Sequence, residues 1–321
     1  MRLAILSFMA FTGPYLHAQS LLFPYAESNN HLFFNAALSS CQSYGSTALT
    51  YLNQANSVGN SNTLAFQSRL RSRFVRGGIG LLGYYEQTPG STQQFSFSGN
   101  YSIRHNVNRR LSLGYGMVLG YNYQSRRKAT FDPGYAELPS NSPGDYSYLD
   151  NHFAVAAYGG GWALGLQVNN PISWYFSSKG TFDVPLGLTA FAGRSILTGR
   201  LHKHLNAVVL YQWQQMPTDS SIDTPEDINE ASINLAYIDK EISLGLGYTY
   251  SHKRYYRLLY HLGYRFHPFR ILYSLSIQND LGRPAFESPS WNHQLAVQMA
   301  IFRRRHFRAR FRRTPCEAFW Y

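Results

Sequence analysis

The sequence predicts an all-β fold, an outer-membrane antiparallel β-barrel of about 14 strands with an N-terminal leader segment. Three observations predict it. Large apolar and small polar residues alternate with a period of two along most of the chain. The alternating segments are roughly 9 to 12 residues long, the length of a tilted strand that crosses a bilayer. The connections between them alternate between long and tight.

Residues 110–123 show the pattern in its plainest form. Leu111, Leu113, Tyr115, Met117, Leu119, Tyr121 and Tyr123 share one face of an extended strand, and Ser112, Gly114, Gly116, Gly120 and Asn122 share the other. Strand side chains alternate between faces, so one side is apolar and the other thin and wettable. Only Val118 falls on the wrong side. Composition agrees: aromatic residues make up 16% of the chain and charged residues only 14%, against a usual charged share of about 25%. No run of about 18 apolar residues occurs, so no transmembrane helix is indicated.

Taken in order, residues 1–18 read as a secretory signal peptide. Arg2 forms a short basic start, Leu3 to Phe11 an apolar core, and Leu16-His17-Ala18 a cleavage site before Gln19. Residues 19–43 form a non-repetitive leader that includes His31-Leu32-Phe33-Phe34-Asn35-Ala36-Ala37, a candidate plug or cap. Cys41 and Cys316 are the only cysteines. In an exported protein they are a candidate disulfide, since closure of a barrel brings the ends of the chain together; two unpaired thiols are the alternative.

The barrel is expected over residues 44–302. Its segments lie near 44–53, 62–71, 75–86, 93–104, 110–124, 150–159, 161–170, 186–195, 203–213, 229–238, 240–250, 255–266, 268–279 and 291–301. In one of them Trp162, Leu164, Leu166 and Val168 oppose Ala163, Gly165, Gln167 and Asn169. In another Ile242, Leu244, Leu246, Tyr248 and Tyr250 oppose Ser243, Gly245, Gly247 and Thr249. Tyr84, Tyr85, Tyr121, Tyr123, Tyr248, Tyr250, Tyr255 and Tyr256, near segment ends, suit aromatic girdles at the membrane interfaces.

Connections after odd-numbered segments include long ones, at 125–149, 171–185, 214–228 and 280–290. Those after even-numbered segments are mostly tight, as at Gly159-Gly160-Gly161, Asp239 and His267-Pro268. Outer-membrane barrels have short periplasmic turns and longer external loops, so both ends of the barrel domain are expected on the periplasmic side. A soluble secreted β-protein is the main structural alternative. It would show Lys and Glu on its polar face, where this chain has mostly Gly, Ser, Ala, Asn and Gln.

The formal net charge is +12. Much of the excess lies in residues 303–321, a basic periplasmic tail in which Arg303, Arg304, Arg305, Arg308, Arg310, Arg312 and Arg313 crowd together. Such a run is a candidate contact for an anionic periplasmic partner or lipid, or simply a solvated tail. Nucleic acid is not expected as a partner, since an exported protein would seldom meet it.

No catalytic group, cofactor site or metal site emerges. Asn151-His152 and Asn292-His293 lack a serine nucleophile motif, and a triad cannot be read from scattered residues. Gly77-Gly78-Ile79-Gly80 lacks the lysine and helix start of a phosphate loop, and its glycines signal close packing or a bend.

Several blocks together resemble a known family. Arg76-Gly77-Gly78-Ile79-Gly80-Leu81-Leu82, then Ser98-Gly99-Asn100-Tyr101-Ser102 and Arg110-Leu111-Ser112-Leu113-Gly114, are similar to the PorP/SprF family of type IX secretion system membrane proteins from Bacteroidota. Tyr51-Leu52-Asn53-Gln54 resembles its "YRNQ" strand end, and Gly165-Leu166-Gln167-Val168-Asn169-Asn170-Pro171 its "GLAVHHL" segment. Pro315-Cys316-Glu317-Ala318-Phe319 resembles its cysteine-containing C-terminus. Two departures stand out: Asn35-Ala36-Ala37 replaces the family's Asn-Pro-Ala, and no Trp-Pro follows Asn53-Gln54. The resemblance implies a non-enzymatic outer-membrane barrel that works with the periplasmic ring of the secretion machinery. It also implies a role in exporting or anchoring adhesin-like cargo with a C-terminal signal domain. A passive porin, or a lipid or solute channel, is the alternative function.

Overall fold

Alternating strands become a stable membrane structure only if every backbone donor and acceptor finds a partner, because hydrocarbon offers none. The chain meets this demand by closing on itself. The structure, a computed structural model, describes residues 35–40, 45–56, 59–72, 77–88, 92–108, 111–126, 146–172, 174–175, 186–197, 203–215, 227–239, 241–252, 255–281 and 289–301.

A 3-10 turn at Ala36–Ser40 precedes the strands. The strands are β1 Gly45–Asn56, β2 Gly59–Ser72, β3 Gly77–Thr88, β4 Thr92–Asn106, β5 Ser112–Arg126, β6 Tyr146–Gly159 and β7 Trp162–Asn169. They continue with the two-residue β8 Trp174–Tyr175, then β9 Gly187–Leu197, β10 Lys203–Gln214, β11 Ile228–Asp239 and β12 Ile242–Ser251. The last three are β13 Tyr255–Phe266, β14 Phe269–Asp280 and β15 Ser290–Ile301. Each long strand pairs antiparallel with its neighbour in sequence, and β7 pairs with β9. The ring closes between first and last strands, from Gly45 opposite Ile301 to Ala55 opposite Trp291. The result is a closed 14-strand barrel.

The connection between β1 and β2, at 57–58, is tight because β2 begins at Gly59, earlier than its periodicity suggested. A second difference is β8. It adds to the projecting part of β6 opposite Tyr148 and Leu149, inside what the sequence marked only as a long connection. An asparagine clasp starts this excursion. Asn170 adopts φ 52°, a conformation asparagine tolerates better than most residues. Its backbone N–H donates to Asn151 O at 2.6 Å, while its Oδ1 accepts from Asn151 N at 3.1 Å. The Asn151 amide then imitates a strand residue: its Nδ2 donates to Ile172 O at 2.6 Å and its Oδ1 accepts from Ile172 N at 3.3 Å.

The two faces separate as the alternation demands. Leu119 is 51% exposed and its neighbour Val118 only 4%, a contrast repeated around the wall. Leucine, isoleucine, phenylalanine and tyrosine form the outward surface, which lipid must cover, since water would leave it as one continuous apolar belt. Tyr84 and Tyr255 depart from the expected girdle. Register turns both inward, where the Tyr84 hydroxyl donates to Asn122 Oδ1 at 3.4 Å and the Tyr255 hydroxyl donates to Glu230 Oε1 at 2.5 Å.

Purified protein kept cold in mild detergent should migrate faster on a denaturing gel than the same sample after boiling, because a closed hydrogen-bonded wall resists unfolding by detergent. Identical mobility before and after boiling would contradict a closed barrel.

Candidate functional site

The inner face is where this barrel departs from a simple tube. Its residues are largely buried, among them Ser96, Ser98, Asn100, Ser102, Asn206, Ser274, Ser276, Gln278, Asn292 and Gln294. Longer side chains fill the middle by lying over glycines of the adjacent strand. His261 occupies the space a side chain at Gly245 would need, Asn234 does so at Gly247, and Phe191 at Gly165. The Gly-x-Gly spacing of β12 is therefore a packing device: it keeps one wall thin where its neighbours are thick.

Charged groups are also inside, and each described contact answers the cost of removing a charge from water. Arg69 Nε donates to Ser46 Oγ at 2.7 Å. Arg257 donates twice to Gln278 Oε1, at 3.2 and 2.7 Å, and lies over the Tyr255 ring. Arg270 Nη2 donates to Ser243 Oγ at 3.0 Å. The strand pattern marks which face these arginines occupy but not how a charge on the inner face is satisfied.

The lumen also holds part of the leader. Asn35, Ala36, Ala37, Leu38, Ser39 and Ser40 are all buried. Asn35 builds the turn, since its Oδ1 accepts from Ala37 N at 3.0 Å and its carbonyl from Leu38 N at 3.2 Å. Its Nδ2 reaches the wall carbonyls of Val155 and Leu166 at 3.3 and 3.2 Å. Ala36 N donates to Gln167 Oε1 at 2.9 Å, and Asn100 Nδ2 donates to Ala36 O at 3.3 Å. Ser39 Oγ donates to Asn100 Oδ1 at 2.6 Å and lies 2.5 Å from Ser102 Oγ. Ala36, Ala37 and Leu38 complete one apolar cluster with Val118, Ala154, Ala156, Tyr158, Ala163, Phe191 and Leu210.

Shape fixes the position as firmly as hydrogen bonding does. A side chain at Gly78 would come within 2.5 Å of Ser39 O, one at Gly114 within 2.9 Å of Ala37 O, and one at Gly116 would collide with the backbone of Ala36 and Ala37. Three motif blocks singled out from the sequence thus share one task. Gly78, Asn100 with Ser102, and Gly114 all line the socket of the 35–40 segment, joined by Gly165 and Gln167 of a fourth block. Val118, the one residue that broke the alternation, is the apolar floor of that socket.

Cys41, Cys316 and the arginines at 303, 304, 305, 308, 310, 312 and 313 lie outside the described residues. Among the described residues no group of His, Cys, Asp and Glu could hold a metal ion.

A closed barrel with an apolar exterior and a packed polar interior defines the chain as an outer-membrane β-barrel. The chain belongs to the family of the type IX secretion system membrane protein PorP/SprF, whose sequence model matches residues 24–299 and so includes the socketed segment. No curated protein matches the sequence. Among solved structures, the Pseudomonas putida toluene transporter TodX shares the fold, with a TM-score of 0.53 and 13% identity over 85% of this chain and 93% of that one. A Pseudomonas aeruginosa FadL homologue has a TM-score of 0.48 and 12% identity, covering 87% of this chain and 94% of its own. At such identity the likeness to TodX is one of fold. Family membership makes the chain a type IX secretion outer-membrane protein that interacts with components of the secretion machinery.

The socket is testable by overpacking. Gly116→Val should cost about 1–3 kcal/mol and expel the 35–40 segment. The readouts are a lower unfolding midpoint and faster proteolytic cutting of the leader in the folded barrel. Gly99→Ala, where the nearest atom lies 4.0 Å away, should leave both unchanged.

Proposed function

We propose that the chain is a non-enzymatic, plugged barrel of the type IX secretion system that assists secretion or surface anchoring of adhesin-like cargo carrying C-terminal signal domains. The observation that carries this reading is the burial of Asn35–Ser40 inside a lumen already crowded by its own wall. A passive channel needs a continuous wet path, and buried glutamines, asparagines and arginines packed over glycines leave little room for one.

In this reading residues 1–18 are removed on export and the leader 19–43 serves as the plug. The seven arginines of the 303–321 tail contact the periplasmic ring, and a Cys41–Cys316 disulfide ties leader to tail. Cargo engages the far rim, from which the long connections at 127–145, 176–185, 216–226 and 282–288 leave. Outer-membrane lipid covers the apolar belt.

The alternative is a passive pore, a role closer to that of TodX, a toluene transporter. Planar bilayers discriminate: the purified wild-type protein should give no steady current. A stable ohmic conductance from the wild type would favour the pore. Crosslinking in the native envelope followed by affinity capture should recover ring components and one secreted adhesin-like protein. Recovery of general folding factors alone would count against the secretion role.

A further inference from the structure

Charge is distributed unevenly along the lumen. Glu86, Asp150 and Glu230, together with one buried arginine, Arg257, face inward toward the end of the barrel that bears the long connections. At the opposite end, where the tight turns and the β1–β15 closure lie, the described inward-facing charged residues are arginines. Arg69 stands on β2, Arg104 on β4, Arg265 on β13 and Arg270 on β14. Arg69 and Arg270 are buried, whereas Arg104 and Arg265 are half-buried at the mouth. Of the described carboxylates near this end, Asp239 is held by Lys203 at 3.1 Å, and Glu241 is exposed in the β11–β12 turn. Arg104 is held in place by neutral groups, donating to Asn106 Oδ1 at 2.8 Å and Ser112 Oγ at 3.1 Å over the Tyr158 ring.

We propose that this mouth is a docking site for an acidic polypeptide segment, read by Arg104 and Arg265 at the rim with Arg69 and Arg270 adding field from behind. Resting on the orientation that makes the tight-turn end periplasmic, the proposal assigns the segment to a periplasmic protein. The arc from β13 through β14, β15, β1, β2 and β3 to β4 crosses six strand spacings, about 29 Å along the wall. A free phosphate or carboxylate cannot bridge that arc, but an extended peptide of about nine residues can. The side chains point into the barrel rather than toward lipid, which disfavours headgroups. Guanidinium forks match carboxylates in pairs, and a mouth walled by low-dielectric barrel focuses their field.

The test uses the full chain, purified in zwitterionic detergent, and a fluorescein-labelled ten-residue peptide alternating Glu and Ser, with a Gln-Ser peptide as control. The acidic peptide should bind, weaken as salt rises, and lose roughly fivefold to tenfold in affinity with Arg104→Gln and Arg265→Gln combined. Lys203→Gln, on the outer face, should change nothing, and unaltered heat-dependent gel mobility certifies that each variant is folded. Equal affinity of the double variant and wild type would overturn the proposal. So would complete loss of binding on deleting 303–321, which would assign the peptide to the tail. Abolition of binding when phosphatidylglycerol surrounds the barrel would assign the arginines to lipid and also overturn it. An epitope inserted in the 160–161 turn should be hidden on intact cells; its detection from outside would sink the periplasmic assignment while leaving barrel and peptide site standing.

Discussion

Backbone closure through the β1–β15 ladder is the constraint on which everything else rests. An open 14-strand sheet would leave two edges of unpaired N–H and C=O groups in hydrocarbon, each costing several kcal/mol. Pairing Gly45 with Ile301 and so on to Ala55 with Trp291 removes both edges at once. It also fixes register, because a slip of one residue on any strand would turn leucines inward and serines toward lipid. The outward row of exposed apolar residues and the inward row of buried polar ones are two readings of that single register.

Closure creates a second problem, an enclosed volume. In a barrel of this size the interior must hold water, side chains or an inserted segment. The described residues supply side chains and an inserted segment. Glycines at 165, 245 and 247 let Phe191, His261 and Asn234 reach across the wall surface. Glycines at 78, 114 and 116 make room for main chain, which needs closer approach than any side chain allows. The leader segment therefore sits on a surface shaped for backbone, with Asn35 Oδ1 accepting from Ala37 N, Gln167 Oε1 accepting from Ala36 N and Asn100 Nδ2 donating to Ala36 O.

The fold was legible because strand alternation is a short-range property that survives in any window of ten residues. Long and tight connections supplied an expected orientation of the strands in the same way. The socket was much less legible, since it joins residues more than a hundred positions apart, such as Asn35 with Leu166. Two local signals did point toward it. Val118 interrupted the polar face of β5, and glycines at 114 and 116 clustered beside it. Read together, an apolar residue and two missing side chains on an inner face mark a place where something apolar with an exposed backbone must lie. Tyr84 and Tyr255 misled for the opposite reason: position near a segment end suggests a girdle, but only register decides the face, and both have polar partners inside.

A packed interior changes what a barrel can do. An open pore moves solutes and tolerates a soft wall, whereas a barrel filled with hydrogen-bonded side chains is stiff and holds its two rims in a fixed relation. Here the rims differ in kind. One carries the short turns and the arginines of the mouth; the other carries the long connections and the projecting β6–β8 flap. A molecule held at the outer rim is thereby coupled mechanically, through strands that cannot slide, to whatever holds the inner rim. On the plugged-barrel reading proposed above, Ala36 to Ser40 and the side chains packed over glycine exchange conductance for that coupling.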